Sequence, residues 1–336
     1  QRYILNGEEL MKRWKSLLCL YSVVCMTLLA ACNSEAPNTS QIAEDDEPKI
    51  SLDYGIIDPY PETIEDMVLE YKGSPIEVTV MLQNGDVAAE WGVLLYMNGV
   101  QQPYKFEDQD MVMKSTKLKP GERQDLRISF TPVGGKAGEE MTMHLMTVLN
   151  PSFRITSDEE VTYGNNHKLA QMLPYRIIMA EDSPVPLPEI MTEQQTQELP
   201  DELHEQYIQT DENNQTIDLL DNYVGFQLHQ SGNDGAIFHV KNGETLNLAA
   251  QGFGKTTKYR VSLYLDHELV PIREGIMYND MQIETGKLST FSSSIDMSAY
   301  SPGSHFVYLI AVPITETYTL DIMDAIKTDS AILWIE

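Results

Sequence analysis

The sequence predicts an all-β chain built from two successive β-sandwich units. Three observations carry this expectation. From Ser51 onward, apolar and polar side chains alternate with a period of two. Turn-forming residues punctuate these runs at roughly 8–12-residue intervals, the spacing of sandwiches and barrels. No long amphipathic helix interrupts them.

The elements follow in order. Ile76, Val78, Val80 and Leu82 alternate with Glu77, Thr79, Met81 and Gln83, which gives a half-buried strand. Trp91, Val93, Leu95 and Met97 form the next strand, ending at Asn98-Gly99, a pair suited to a tight hairpin turn. Lys119-Pro120-Gly121-Glu122 is a second turn, and Leu126, Ile128 and Phe130 line one face of the strand after it. A glycine-rich loop from Val133 to Gly138 leads into a strand carrying Met141, Met143, Leu145 and Thr147. Tyr175 to Met179 closes the first unit, which spans 51–182. Residues 183–216, with Pro184, Pro186, Pro188 and Pro200 among many Glu and Gln, read as an acidic linker with a helical turn between Leu203 and Tyr207. The second unit, 217–336, draws its strands from Leu246 and Leu248, Tyr259–Leu265, Phe291–Met297, Phe306–Val312 and Ala331–Ile335. Gly252-Phe253-Gly254 is expected to be a turn between two of them.

The two units repeat each other. At a constant spacing of 168 residues, Val78, Val80 and Leu82 fall on Leu246, Leu248 and Ala250. Gln83, Val93, Leu95, Tyr96 and Pro103 recur unchanged as Gln251, Val261, Leu263, Tyr264 and Pro271. Further on, Gly138 with Met141, Met143 and Leu145 is matched to Gly303 with Phe306, Tyr308 and Ile310. The pattern resembles tandem immunoglobulin-like modules of bacterial surface proteins, which implies two such sandwich domains in series. The cysteine pair of antibody domains is missing, because Cys19, Cys25 and Cys32 all lie near the start of the chain.

That start has its own character. Lys12, Arg13 and Lys15 precede an apolar run from Ser16 to Leu28, which closes on Leu29-Ala30-Ala31-Cys32. The run falls short of the about 20 residues that a permanent membrane helix needs, and its flanks are those of a cleavable export signal. Residues 1–10 are expected to be an upstream extension, with Met11 as the initiator and 11–31 as the signal peptide. The ending resembles the lipobox of bacterial lipoproteins. The resemblance implies that Leu29, Ala30 and Ala31 are read by the signal peptidase and that Cys32 carries diacylglycerol, a tether to membrane lipid. Two acyl chains hold a protein stably where one does not. Residues 32–50, polar and acidic, then read as a flexible stalk with a reach of roughly 23 Å. The expected location is the outer face of the cytoplasmic membrane. An exported chain that keeps no disulfide points to a Gram-positive host.

The chain carries 51 acidic and 23 basic residues, a formal net charge of −28. Such a surface repels phosphate backbones, so nucleic acid is excluded as a partner. No catalytic motif stands out. The seven histidines (His144, His167, His204, His229, His239, His267 and His305) include no pair at the spacing of a zinc-binding helix face. His204-Glu205 and His267-Glu268 begin such a motif without completing it, and both histidines are expected to be solvated. Asp211, Asn213, Gln215 and Asp218 only partly follow a calcium loop, with Thr216 where glycine is required and Asn222 where glutamate is required. No metal and no cofactor is expected. Tyr96 and Tyr264 occupy equivalent places in the repeats, next to Arg260 and Ser262; two readings are open, a solvated sheet face that contacts a partner and, the favoured one, cross-strand packing or burial under a loop.

These features predict a lipid-tethered, non-enzymatic binding or scaffolding module of the cell envelope, with an envelope protein or polysaccharide as partner. The competing expectations are an accessory or substrate-capture lipoprotein of a membrane transporter, and an enzyme with a site assembled from scattered carboxylates.

Overall fold

The alternating runs form strands where the pattern places them. The computed structural model describes residues 50–336, apart from 64–66, 157–161, 172–173, 211–213, 234, 236 and 315–323. The leader, with Leu29, Ala30, Ala31 and Cys32, therefore lies outside the described residues. The first half contributes β1 (Leu52–Asp58), β2 (Val68–Tyr71), β3 (Ile76–Asn84), β4 (Ala89–Met97), β5 (Val100–Gln101), β6 (Tyr104–Phe106), β7 (Gln109–Met111), β8 (Lys114–Leu118), β9 (Arg123–Phe130), β10 (Glu140–Leu149), β11 (Leu169–Gln171) and β12 (Tyr175–Met179). The second half contributes β13 (Ile190–Met191), β14 (Gln195–Glu198), β15 (Ile208–Thr210), β16 (Thr216–Asp218), β17 (Val224–Gln230), β18 (Ile237–Val240), β19 (Thr245–Gly254), β20 (Thr257–Leu265), β21 (Glu268–Val270), β22 (Tyr278–Ile283), β23 (Lys287–Asp296), β24 (Gly303–Pro313), β25 (Ile326–Lys327) and β26 (Ala331–Ile335).

Four sheets stack face to face. The first has the order β1-β3-β9-β6-β7, and the second β2-β12-β10-β4-β5, with β8 also on β4. The third runs β13-β22-β20-β24-β26-β18, and the fourth β14-β23-β19-β17. Val78, Val80 and Leu82 of the first sheet pack on Val93, Leu95 and Leu145 of the second. Leu246 and Leu248 of the fourth pack on Val261, Leu263 and Leu309 of the third. A further core lies between the second and third sheets, where Leu94, Tyr96, Met146 and Val148 meet Tyr264, Tyr308, Ile310 and Val312. The two central sheets are thus buried on both faces, and residues Pro48–Glu336 form one compact unit.

The halves share a strand order. In each, three antiparallel strands (β1-β3-β9, β17-β19-β23) cover a sheet whose edge is a parallel pair (β2 on β12, β18 on β26). β4 and β20 are spaced by 168 residues along their whole length. The later match needs a correction of one residue. Leu95 pairs with Leu145 and Leu263 with Leu309, so His144 is the counterpart of Tyr308. A one-residue slip moves a whole set of side chains to the other face. Met141, Met143 and Leu145 therefore line the first sandwich, while Phe306, Tyr308 and Ile310 line the junction between halves.

Two further expectations change. The 183–216 stretch is not free linker throughout, because β13 pairs with β22 and β14 with β23. The expected helical turn forms at Asp201–His204 and continues as a 3₁₀ turn to Tyr207. Gly252-Phe253-Gly254 is the end of β19 rather than a turn, with Phe253 buried.

A buried asparagine locks the first sandwich. Asn84 Nδ2 donates to the carbonyls of Val87 at 2.7 Å and Lys119 at 3.1 Å, while its Oδ1 accepts from Trp91 Nε1 at 3.0 Å. Truncation would leave the indole N–H buried without an acceptor. Asn84→Ala is expected to cost about 2–3 kcal/mol, read as a lowered urea midpoint at unchanged m-value.

Candidate functional site

The junction between halves holds a buried set of polar side chains. Tyr96 on β4 and Tyr264 on β20 do not stand on a solvated face: their exposures are 0% and 1%. Their hydroxyls meet at 2.6 Å, so equivalent positions of the two repeats bond to each other. Burial drives both phenol pKa values upward and keeps them neutral. Arg260 and Ser262, read as signs of solvation, are buried as well. Arg260 makes a bidentate pair with Asp280 at 2.7 and 3.1 Å and donates to the Asn98 carbonyl of the other half at 2.9 Å. Alternation alone cannot separate a solvated face from one buried under a second sheet.

The two hairpin turns at this junction each dock on the opposite half. Asn98-Gly99 joins β4 to β5 with φ of 45° and 77°, and Asp266-His267 joins β20 to β21 with φ of 52° and 68°. Glycine suits the second position, because positive φ crowds a Cβ. Histidine there is held by its ring: Tyr308 Oη donates to His267 Nδ1 at 2.7 Å, and His267 Nε2–H donates to the Pro151 carbonyl at 2.8 Å.

His167, from the loop before β11, repeats the arrangement, also at positive φ (64°). Its Nε2–H donates to the Phe153 carbonyl at 3.0 Å and its Nδ1 accepts from Ser330 Oγ at 3.2 Å. The two imidazoles meet edge to face at 4.9 Å and both pack on Phe306. Each ring thus takes a hydroxyl from the second half and gives its proton to a carbonyl of the first. Burial, first of all, lowers His267 to about 4 and His167 to about 3. His267 is therefore not the solvated residue expected from its sequence context.

Beside this cluster opens a cleft of about 290 Å³, lined by residues 162–164 and 166–169 of the first half and 325–330 of the second. Lys168 and Lys327 both line it, and Lys327 is the more enclosed of the two. The Lys327 ammonium lies 4.1 Å from the centre of the Tyr308 ring and donates to the Thr328 carbonyl at 2.9 Å and Ser330 Oγ at 3.1 Å. Burial lowers its pKa to about 7. The alternation pattern does not reveal this constellation. Lys327, Ser330 and His167 come from distant loops with no shared motif, and no sequence signal would have joined them.

The remaining candidates are scattered. His204 pairs with Asp218 at 2.6 Å, His305 with Asp266 at 2.6 Å, and His239 with Glu336 at 3.5 Å. Asp211 and Asn213 of the calcium-like stretch lie outside the described residues, and Asp218 caps Leu220 N–H at 2.9 Å. Among the described residues no three His, Cys, Asp or Glu side chains gather as metal ligands.

No family model matches the chain, and no curated protein matches it. Solved structures similar to it include a protein of unknown function from Porphyromonas gingivalis W83 (12% identity, 84% of this chain and 99% of that one, TM-score 0.22). Fibronectin(III)-like modules of CbhA from Clostridium thermocellum match at 12% identity over 84% of this chain and 94% of that one, with a TM-score of 0.19. The Salmonella enterica SafA pilin in complex with the SafB chaperone gives 10% identity, 86% and 98% coverage and a TM-score of 0.24. Likeness at this distance assigns no activity or partner to the chain.

Two predictions follow from the junction. In a double-mutant cycle of Tyr96→Phe and Tyr264→Phe, the hydroxyl pair is expected to show a coupling of about 1 kcal/mol. The second concerns His144, which is buried with both ring nitrogens unpartnered, and whose pKa burial lowers to about 4. Unfolded histidine takes up a proton near pH 6.5, well before the folded residue does. Stability from neutral His144, His167 and His267 is therefore complete above pH 6.5 and is lost as pH falls towards 4 and below. His144→Phe is expected to gain about 1 kcal/mol at pH 7, with a lead over the parent that widens on acidification. Urea titrations at pH 7 and pH 5 test this, and an unchanged pH slope would refute it.

Proposed function

We propose that this chain is a lipid-tethered lipoprotein that serves as a non-enzymatic binding or scaffolding module on the outer face of the cytoplasmic membrane. The observation that supports the reading best is the closed junction. Paired tyrosines, paired histidines and the bond from Arg260 to the Asn98 carbonyl join two sandwiches into one body, so loops and sheet edges at separated places keep a fixed relation to one another. Preorganisation of that kind lowers the entropy cost of engaging a large partner. The second support is the Leu29-Ala30-Ala31-Cys32 ending of the leader. The net charge of −28 suits an envelope protein or a neutral or basic wall polymer as partner better than an anionic surface. Long helices, which a two-lobed α/β capture protein would need, are missing among the described residues.

Metabolic labelling with radioactive palmitate tests the tether. Label is expected in the parent chain and not in Cys32→Ala, which should also leave the membrane fraction. Retention of purified chain on fractionated envelope tests the module. Saturable binding of one component is the expected result. A reproducible turnover abolished by a single substitution would replace the reading with an enzymatic one.

A further inference from the structure

The halves differ in charge on the outward faces of their outer sheets, and strand register compares those faces position by position. On the first sheet, Gln83 stands between Arg123 and Asp53, Met81 between Asp125 and Gly55, and Thr79 beside Arg127. These charges pair on the surface, Arg123 with Asp125 at 2.8 Å and Arg127 with Glu77 at 2.5 Å. On the fourth sheet, Gln251 stands between Thr290 and Gln227, Ala249 between Ser292 and His229, and Asn247 beside Ser294. Thr290, Ser292, Ser294 and Gln227 therefore take the places of Arg123, Asp125, Arg127 and Asp53. Each charge has given way to a hydroxyl or an amide. β14 adds Gln195 beside Thr290, which puts Gln195, Thr290, Gln251 and Gln227 in line across four strands. The charged residues of these strands, Glu198, Lys287 and Asp296, all stand at strand ends.

The apolar end of this face, Phe253 and Leu288, is covered by Leu203, Tyr207 and Leu220 of the chain itself. Beyond that cover, Gln195, Asn247, Ser292 and Ser294 are exposed, and Gln227, Ala249, Gln251 and Thr290 are half-buried. Ser294 Oγ donates to Asn247 Oδ1 at 2.7 Å, and Gln227 Oε1 lies 3.2 Å from His229 Nε2, which sets those side chains within the face. The chemistry selects among partners. An anionic polymer is repelled by a net charge of −28, and a cationic one is drawn to the carboxylates elsewhere. A second protein sheet would pack by interlocking apolar side chains, and among these positions only Ala249 supplies one. A neutral polyhydroxyl chain meets amides and hydroxyls that donate and accept, and that shed water at lower cost than charges do. Neighbouring strands lie about 4.8 Å apart, comparable to one sugar ring along an extended glycan, so the four-strand row spans roughly 14 Å and serves about three rings. We infer that the outward face of the fourth sheet docks an extended neutral polysaccharide lying across its strands. The site specifies the partner of the binding module proposed above and rests on that reading.

Calorimetry on the full chain, held in a sugar-free polyoxyethylene detergent, tests the assignment with cellohexaose, chitohexaose and mannohexaose as neutral probes. Saturable binding of at least one hexaose is expected, with the matching disaccharide and the anionic hexagalacturonate weaker by about tenfold or more. The triple substitution Thr290→Arg, Ser292→Asp and Ser294→Arg writes the charges of the first sheet onto the face, in a strand order that already carries them. It should lower the affinity by about tenfold or more at an unchanged unfolding midpoint. Ser294→Arg alone, an exposed position, should act in the same direction and serves if the triple variant fails to fold. Arg123→Thr with Arg127→Ser, on the first sheet, should leave binding unchanged. Equal binding by parent and charged variants, preference for hexagalacturonate, or no saturation by any hexaose would each overturn the docking site. In that last case, saturable retention on an envelope protein fraction would leave the binding-module reading standing, and its absence would remove both. Loss of a dimer in the triple variant, seen by sedimentation without a change in glycan affinity, would make the face an interface between copies instead.

Discussion

The structure turns on one constraint: two sheets, each already covering its own core, also bury their outer faces against each other. A polar atom buried in that plane costs free energy unless it finds a partner there. The pairing of Tyr96 with Tyr264 meets this need at the centre, where the repeats present the same residue to each other. Arg260 meets it at one end by joining Asp280 and the Asn98 carbonyl. The histidines meet it at the other. A backbone bond from Gln101 N–H to Tyr278 Oη, at 3.2 Å, adds a further link between halves.

The arrangement resembles the isologous contact of a symmetric dimer, in which one patch meets its own counterpart. Here a covalent chain connects the patches, so the symmetry can break without loss of association. It has broken in two informative places. Gly99 of the first half is replaced by His267 in the second, at the same left-handed turn position. Tyr308 of the second half is replaced by His144 in the first. The former exchange adds a ring that bridges the halves. The latter leaves two buried nitrogens without partners. One half has gained a bond at its equivalent of the turn, and the other carries an unsatisfied group at its equivalent of the tyrosine.

The strands and their repetition could be read from the sequence because both rest on local regularities. Period-two alternation located β3, β4, β9, β10 and β12, and the constant spacing located β20 from β4. What could not be read from alternation was which faces are covered twice. The signal for it was present in the continuous run Gly92-Val93-Leu94-Leu95-Tyr96-Met97, since a strand buried on both faces reads as an unbroken apolar stretch. Arg260 and Ser262 obscured the same message in β20, because a charged residue suggests water until its partner Asp280 is known. Lys327, Ser330 and His167 left no trace of their association. Their contact depends on how two loops from opposite halves close over the end of the junction, which is a property of the tertiary fold and not of any local pattern.

That closure also explains why the cleft sits where it does. At the Arg260 end, the turn of the first half presents Gly99, whose missing side chain lets Arg260 lie directly against the backbone; an added Cβ would come within 2.7 Å of it. The gap is filled and the ion pair is internal. At the opposite end, the turn presents His267, whose ring reaches past Tyr308 to Pro151, and His167 packs against it. His167 of the loop 162–168 also accepts from Ser330 of the loop 325–330 at 3.2 Å, which joins the two walls of the cleft. Lys327 lies with its ammonium 4.1 Å from the centre of the Tyr308 ring and donates to the Thr328 carbonyl and Ser330 Oγ. The same exchange that replaced a glycine by a histidine therefore separates an end sealed by its own salt bridge from an end joined through imidazoles and hydroxyls.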